Sequence, residues 1–184
     1  MDRRGVLALF GLGGVSFLGS EQAEAAVARA LGLRELVEQS KRVVVGTALE
    51  QACEWQVIGG SRRIVTLTRV RVEELVTGAA PESSELMVQT LGGRVGKIGQ
   101  LVEGEAELVV RESSLVFTRE VLSGLYGVTA MAQGHYPIGV EARGKVLRPS
   151  RSLPSLIAGK ESAVERLKNV TLSDAVNLVR GARR

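Results

Sequence analysis

The stretch Ile64-Val65-Thr66-Leu67-Thr68-Arg69-Val70-Arg71-Val72 constrains this chain more than any other part of it. Ile64, Thr66, Thr68, Val70 and Val72 recur at every second position, and Arg69, Arg71 and Glu73 take the alternate places. A period of two, with β-branched residues on one side, is a strand with one face for a core and one for water. Such a strand needs partners, and its neighbours supply them at short intervals. Val43-Val44-Val45-Gly46 predicts a strand that bends at Gly46 and continues toward Trp55 and Val57. Gly59-Gly60-Ser61 predicts the turn that returns to Ile64. Further strands are expected at Glu85 to Leu91, Glu105 to Val110, Leu115 to Thr118 and Leu125 to Met131. Another follows a turn at Gln133-Gly134 and runs from His135 to Val140, while Gly92 to Gly104 reads as a glycine-rich loop. Six or seven short strands with no helical pattern between them predict a mainly β fold, an antiparallel barrel or a sandwich.

A helix is expected on either side of the strands. From Ala26 to Ser40, Leu33, Leu36 and Val37 recur at helical spacing with charged residues on the other faces. After Arg148-Pro149-Ser150, short helices are expected at Ser162 to Leu167 and at Ser173 to Val179, with Ser173 as N-cap. The expected organisation is a signal peptide over 1–25, a helix-plus-barrel domain over 26–149 and a basic helical tail over 150–184. Leu153, Leu156, Val164, Leu167, Val176 and Val179 make that tail too apolar for a disordered segment. It is expected to pack on the barrel or on the first helix, leaving Arg180, Arg183 and Arg184 in water.

Residues 1–25 read MDRRGVLALFGLGGVSFLGSEQAEA. Arg3 and Arg4 make a positive start, Gly5 to Gly19 is uncharged and mostly apolar, and Ala23-Glu24-Ala25 has the small-x-small form of a cleavage site. The apolar run falls short of the ~20 residues that span a bilayer as a helix. Asp2-Arg3-Arg4-Gly5-Val6-Leu7 resembles a twin-arginine export signal, with Asp2 where that pattern has Ser or Thr; general secretion fits as well. Cleavage near Ala25 would leave an exported protein, periplasmic or extracellular, and a lone Cys53 suits that compartment. Charge is unevenly spread beyond it. Ala26 to Val140 holds twelve Lys/Arg against thirteen Asp/Glu, whereas Glu141 to Arg184 holds ten against four. A basic end of this kind can attract a membrane or cell-wall surface through Arg180, Arg183 and Arg184, or simply be solvated.

The chemistry of the side chains excludes more than it assigns. One histidine and one cysteine exclude a three-histidine metal site, a cysteine-built zinc cluster and a disulfide framework, and no cofactor is expected. Gly92-Gly93-Arg94-Val95-Gly96-Lys97-Ile98-Gly99 invites a phosphate-binding reading, but Ile98 stands where a Walker loop needs Ser or Thr. Arg94 and Lys97 are therefore retained as binding candidates on a plain β-loop. His135 is the one side chain that titrates near neutral pH unperturbed, and is the catalytic candidate. A serine hydrolase would also need an activated serine and a carboxylate, and no G-x-S-x-G elbow lies beyond the export segment. Glu103, Glu105 and Glu107 would share one face of a strand, as a solvated face or as cation ligands. Beyond the export segment Trp55, Phe117, Tyr126 and Tyr136 are the only aromatic residues, too few to stack a single-stranded nucleic acid. Trp55 and Tyr136 join Arg94 and Lys97 as the candidate contact surface.

Arg63-Ile64-Val65-Thr66 with Val70-x-Val72-x-x-Leu75, Val88-x-Thr90 with Gly92-Gly93, Val102-x-Gly104-Glu105 and Leu115-Val116-Phe117 resemble an uncharacterised family of exported bacterial proteins. Leu33-x-x-Leu36, Ser40 and Val43-Val44-Val45-Gly46 fit it too, so the resemblance covers about residues 33–140. The order of elements is also similar to the netrin-like, tissue-inhibitor type of OB barrel. That resemblance implies a small antiparallel OB-like barrel that binds proteins. The class uses an N-terminal cysteine and disulfides to inhibit metalloproteases; Ala26 and the unpaired Cys53 depart from this, so the inhibitory mechanism does not carry over. The expectation is an exported, non-catalytic binding or accessory module whose partner is another exported protein. A hydrolase or transferase using His135, and adhesion to an anionic surface, are the alternatives.

Overall fold

The computed structural model describes residues 28–153, 156–157 and 162–183. The signal peptide expected at 1–25, its cleavage site at Ala25, and Arg184 lie outside these residues. The chain is mainly β. A two-residue strand β1 (Ala28–Arg29) precedes helix α1 (Leu33–Glu38), and two long strands follow, β2 (Arg42–Ile58) and β3 (Ser61–Gly78). Next come β4 (Glu85–Leu91), the small hairpin β5 (Gly93–Val95) and β6 (Ile98–Gln100), then β7 (Ser113–Leu122) and β8 (Leu125–Val128). The chain ends with β9 (His135–Glu141), β10 (Gly144–Leu147), β11 (Leu156–Ile157), α2 (Ala163–Leu167) and α3 (Leu172–Ala182).

One seven-stranded sheet runs β10-β9-β7-β2-β3-β4-β8, and β8 also pairs with β7. That second pairing closes a ring through β2, β3, β4, β8 and β7. Four of its seams are antiparallel; the fifth, Met87 to Gln89 of β4 beside Leu125 to Gly127 of β8, is parallel. The hairpin between β2 and β3 turns at Gly59-Gly60, with φ of +58° and +79°. Two successive residues at positive φ give the turn whose twist matches the flanking strands, and only glycine takes them without strain. β2 runs for 17 residues because three register shifts, at Val43/Val44, Val45/Gly46 and Ala48/Glu50, let it coil. Its first part, to Thr47, pairs with both β3 and β7; from Glu50 onward it pairs only with β3 among the described residues. The far ends of β2 and β3 therefore project from the ring as a two-stranded arm.

Alternation along β2 and β7 divides the interior in two. Val44, Ala48, Val70, Leu86, Val88, Val116, Tyr126 and Val128 fill the ring. Val43, Val45, Leu115 and Phe117 point the other way, onto Leu33, Leu36 and Val37 of α1, Leu167 of α2 and Val176 and Val179 of α3. The C-terminal helices thus pack on both the sheet and α1. Arg180 and Arg183 do not stand free in water. Arg180 donates to Glu74 at 3.0 Å and to the Val76 carbonyl at 3.3 Å, and Arg183 donates to the Thr77 hydroxyl, all on β3.

Several local expectations are corrected. The first helix is six residues long, because Gly32 is extended (φ −69°, ψ 156°) and the residues before it form β1 beside β11. Thr171, not Ser173, caps α3, accepting from the Asp174 N–H at 3.2 Å. Strand β8 stops at Val128, and Met131–Gly134 forms a single 3₁₀ turn. The Gly92 to Gly104 loop contains the β5–β6 hairpin. Glu105 to Val110 is not a strand: the free edge of β4 that it would need is taken by β8. The segment instead straps across the end of the ring, inserting Ala106 and Leu108 into the ring's core.

Candidate functional site

The register across β2, β3 and β4 sets out the inner face of the sheet as rungs. Ala48, Val70 and Leu86 form one; Gln51, Thr68 and Val88 the next; Cys53, Thr66 and Thr90 the third; Trp55 and Ile64 follow on the arm. The first of these lies in the sealed core, whereas the third is at the mouth of the ring. Here the arm, the β5–β6 hairpin and the 105–110 strap enclose a cleft of about 640 Å³. Its size lies within the ~300–1,000 Å³ common for small-molecule pockets, which occur in the mouths of β-barrels.

Gly93 makes the hairpin's close approach. A Cβ on it would stand 2.5 Å from Thr66 Oγ1 and 2.7 Å from Cys53 Sγ, and its φ of +125° excludes other residues independently. The hairpin is held down by the Gly92 N–H to the Ile64 carbonyl at 2.8 Å, and by the Ile64 N–H to Gln100 Oε1 at 2.7 Å. Ile64 is buried as a result, and Trp55, its partner in the rung, is left on the arm with 36% exposure. The Arg62 guanidinium lies 4.9 Å from the Trp55 ring centre. Val57, Ile98 and Leu101 are also exposed, Leu101 almost wholly.

Glu105 anchors the strap. Its carboxylate accepts from the Leu91 N–H at 3.2 Å and the Ala106 N–H at 3.0 Å, so the last N–H of β4 finds a partner where no strand provides one. Burial pushes the Glu105 carboxyl above its ordinary pKa, against the pull of those two N–H groups and of Arg119. Glu103, Glu105 and Glu107 therefore form no common strand face, and no cluster of metal-ligating side chains occurs among the described residues.

The five candidates from sequence divide sharply. Trp55 lies exposed on the arm, one rung beyond the Cys53 that lines the cleft, and Arg94 and Lys97 are exposed on the adjoining hairpin, Arg94 donating to the Gly96 carbonyl at 3.0 Å. Tyr136 does not belong to any contact surface. It is buried against Phe117, ring centres 6.0 Å apart, its hydroxyl without a partner among the described residues, and burial pushes its pKa up. His135 is buried too, with Nδ1 at 3.2 Å from Ser150 Oγ. Burial first, and the Arg151 charge second, lower its pKa to about 4. Ser150 is itself buried, and among the described residues no carboxylate hydrogen-bonds to the ring, so there the pair has neither the orienting acid nor the access of a hydrolytic site. Sequence reasoning missed Cys53, Thr66 and Thr90 as a row, although partner positions mirrored about Gly59-Gly60 place Cys53 opposite Thr66.

Among the described residues no helix is long and apolar enough to cross a membrane. In comparison with known proteins, no family model, no curated protein and no solved structure matches this chain.

Proposed function

We propose that this protein is an exported, non-catalytic binding or accessory module of the bacterial envelope or secretome, built on an OB-type barrel. The export reading rests on Arg3-Arg4, the apolar Gly5 to Gly19 run and Ala23-Glu24-Ala25. Strand order supports the fold reading. Numbering only the ring strands from β2, their cyclic order is first, second, third, fifth, fourth, with the third and fifth parallel, which is the order of an OB barrel. The chain departs from that pattern between its third and fourth ring strands, where an irregular strap stands in place of a helix.

The observation that carries the function is the open mouth: an apolar-lined cleft with exposed Leu101 in its lining and exposed Trp55 one rung beyond Cys53 on the arm. The sealed His135–Ser150 pair favours binding over catalysis. The partner in this reading is another exported protein seated on the rim. Capture from an envelope extract should retain one partner on the natural chain and on Val140→Asp, a charge placed on the exposed side chain of β9. Trp55→Ala with Leu101→Asp should lose it. Equal retention by all three, or no reproducible partner, would overturn the proposal.

A further inference from the structure

The lining of the mouth is selective in its chemistry. Most of its polar groups are already engaged. Thr66 donates to the Gly92 carbonyl at 2.8 Å, Cys53 Sγ lies 3.3 Å from Thr66 Oγ1, and Gln51 donates to Thr68 Oγ1 at 3.1 Å. Thr90 is different. It is 7% exposed, lines the cleft, and its hydroxyl has no hydrogen-bond partner among the described residues. The oxygen still reaches solvent in the cleft, so a ligand that bonds it takes the place of water there.

Shape and charge narrow the ligand further. All six residues of the 105–110 strap line one side, and the rung of Cys53, Thr66 and Thr90 with Gln51 lines the other, a trough that suits a chain. Leu101, Val102, Ala106, Leu108, Val109 and Val110 make its walls apolar. Glu105 and Glu107 are its charged members, and Arg119, in the adjoining recess, offsets the charge of Glu105 alone, so an anionic head would meet two carboxylates against one cation.

We propose that the mouth of the ring binds an uncharged amphiphile, an acyl or alkyl chain lying along the strap with a hydroxyl-bearing head bonded to Thr90. This deepens the reading of the mouth as a binding surface and rests on it. The chain has one tryptophan and one cysteine; Cys53 lines this site and Trp55 is one rung beyond it on the arm. Titration of the full chain with 1-monolauroylglycerol, below its aggregation concentration, should give a saturable change in Trp55 fluorescence. It should also slow modification of Cys53 by an aromatic disulfide reagent at least tenfold. Laurate, with the same chain and a carboxylate head, should bind at least tenfold more weakly. Thr90→Val should weaken the neutral ligand about five- to tenfold with an unchanged melting temperature, and Thr90→Ser should restore it. No saturable response, laurate binding as well as the glyceride, or Thr90→Val binding as the natural chain would each overturn the assignment. Partner capture that depends on Trp55 and Leu101, with no response to the glyceride, overturns this inference alone; glyceride binding without capture overturns the protein-partner reading alone.

Discussion

His135 and Tyr136 are neighbours on β9, so their side chains leave the sheet on opposite faces, and each carries a cost of burial. Neutral His135 is accommodated beside Ser150, whereas its cation is not, so its folded pKa of about 4 lies below the ordinary 6.5. The unfolded chain therefore takes up the proton first. Stability from this group is fully present above pH 6.5 and is lost as pH falls toward 4, by up to about 3 kcal/mol. Glu105, whose pKa is raised, works in the opposite sense: its contribution is present below 4.5 and lost as pH rises through the folded value. Urea unfolding of His135→Gln at pH 7.5 and pH 5 should show a smaller loss on acidification than the natural chain; an equal loss would refute the assignment. Tyr136 holds its hydroxyl, unpartnered among the described residues, in the helix-side core. Tyr136→Phe should leave the urea midpoint unchanged or raise stability by up to about 1 kcal/mol. A loss larger than that would mean the hydroxyl has a partner. Neither burial was legible in the sequence. His135 and Tyr136 follow a turn signal, which marks exposed positions until a helix or a neighbouring strand covers them.

At the scale of elements, alternation carried the reading far. The bend after Val45, the Gly59-Gly60 turn and β4 all stand where β-branched runs and glycines place them. Glu105 to Val110 shows where alternation stops being sufficient. Glu105, Ala106, Glu107 and Leu108 have a strand's pattern, but a strand also needs an edge to pair with, and edges are assigned by the whole sheet. The row of Cys53 and Thr66 was readable from the turn. Thr90 was not, since the long β3–β4 connection fixes no register. For the helices, Leu167, Val176 and Val179 are buried against the sheet. At about 1.5–3 kcal/mol each, their loss alone is comparable to the ~5–15 kcal/mol that keeps a domain folded. Deletion of residues 150–184 should give insoluble protein or a melting temperature lower by more than about 10 °C, at ~2–4 °C per kcal/mol. Leu167→Ala, a milder test, should cost about 2–5 kcal/mol. Unchanged melting in both would show that the helices add nothing to the fold.

Across the whole molecule, strand spacing led to a barrel or a sandwich but not to the seam that closes the ring. Its closing seam joins Met87 to Gln89 with Leu125 to Gly127, positions separated by the β5–β6 hairpin, the strap and β7, and is only three residues long. Strand spacing predicts that β elements will meet, and the closure follows from which edges remain free. The two cores have a consequence of their own. Val43 and Val44, and Leu115 and Val116, send adjacent side chains of one strand into different interiors. The two interiors share β2 and β7 as a common wall. Melting the helix-side packing uncovers one flank of β2 and β7, and the hydrogen bonds of those strands also hold the ring. Amides of Val44 and Val116 should then exchange with solvent only through complete opening of the chain, at one common rate whichever interior is loosened first.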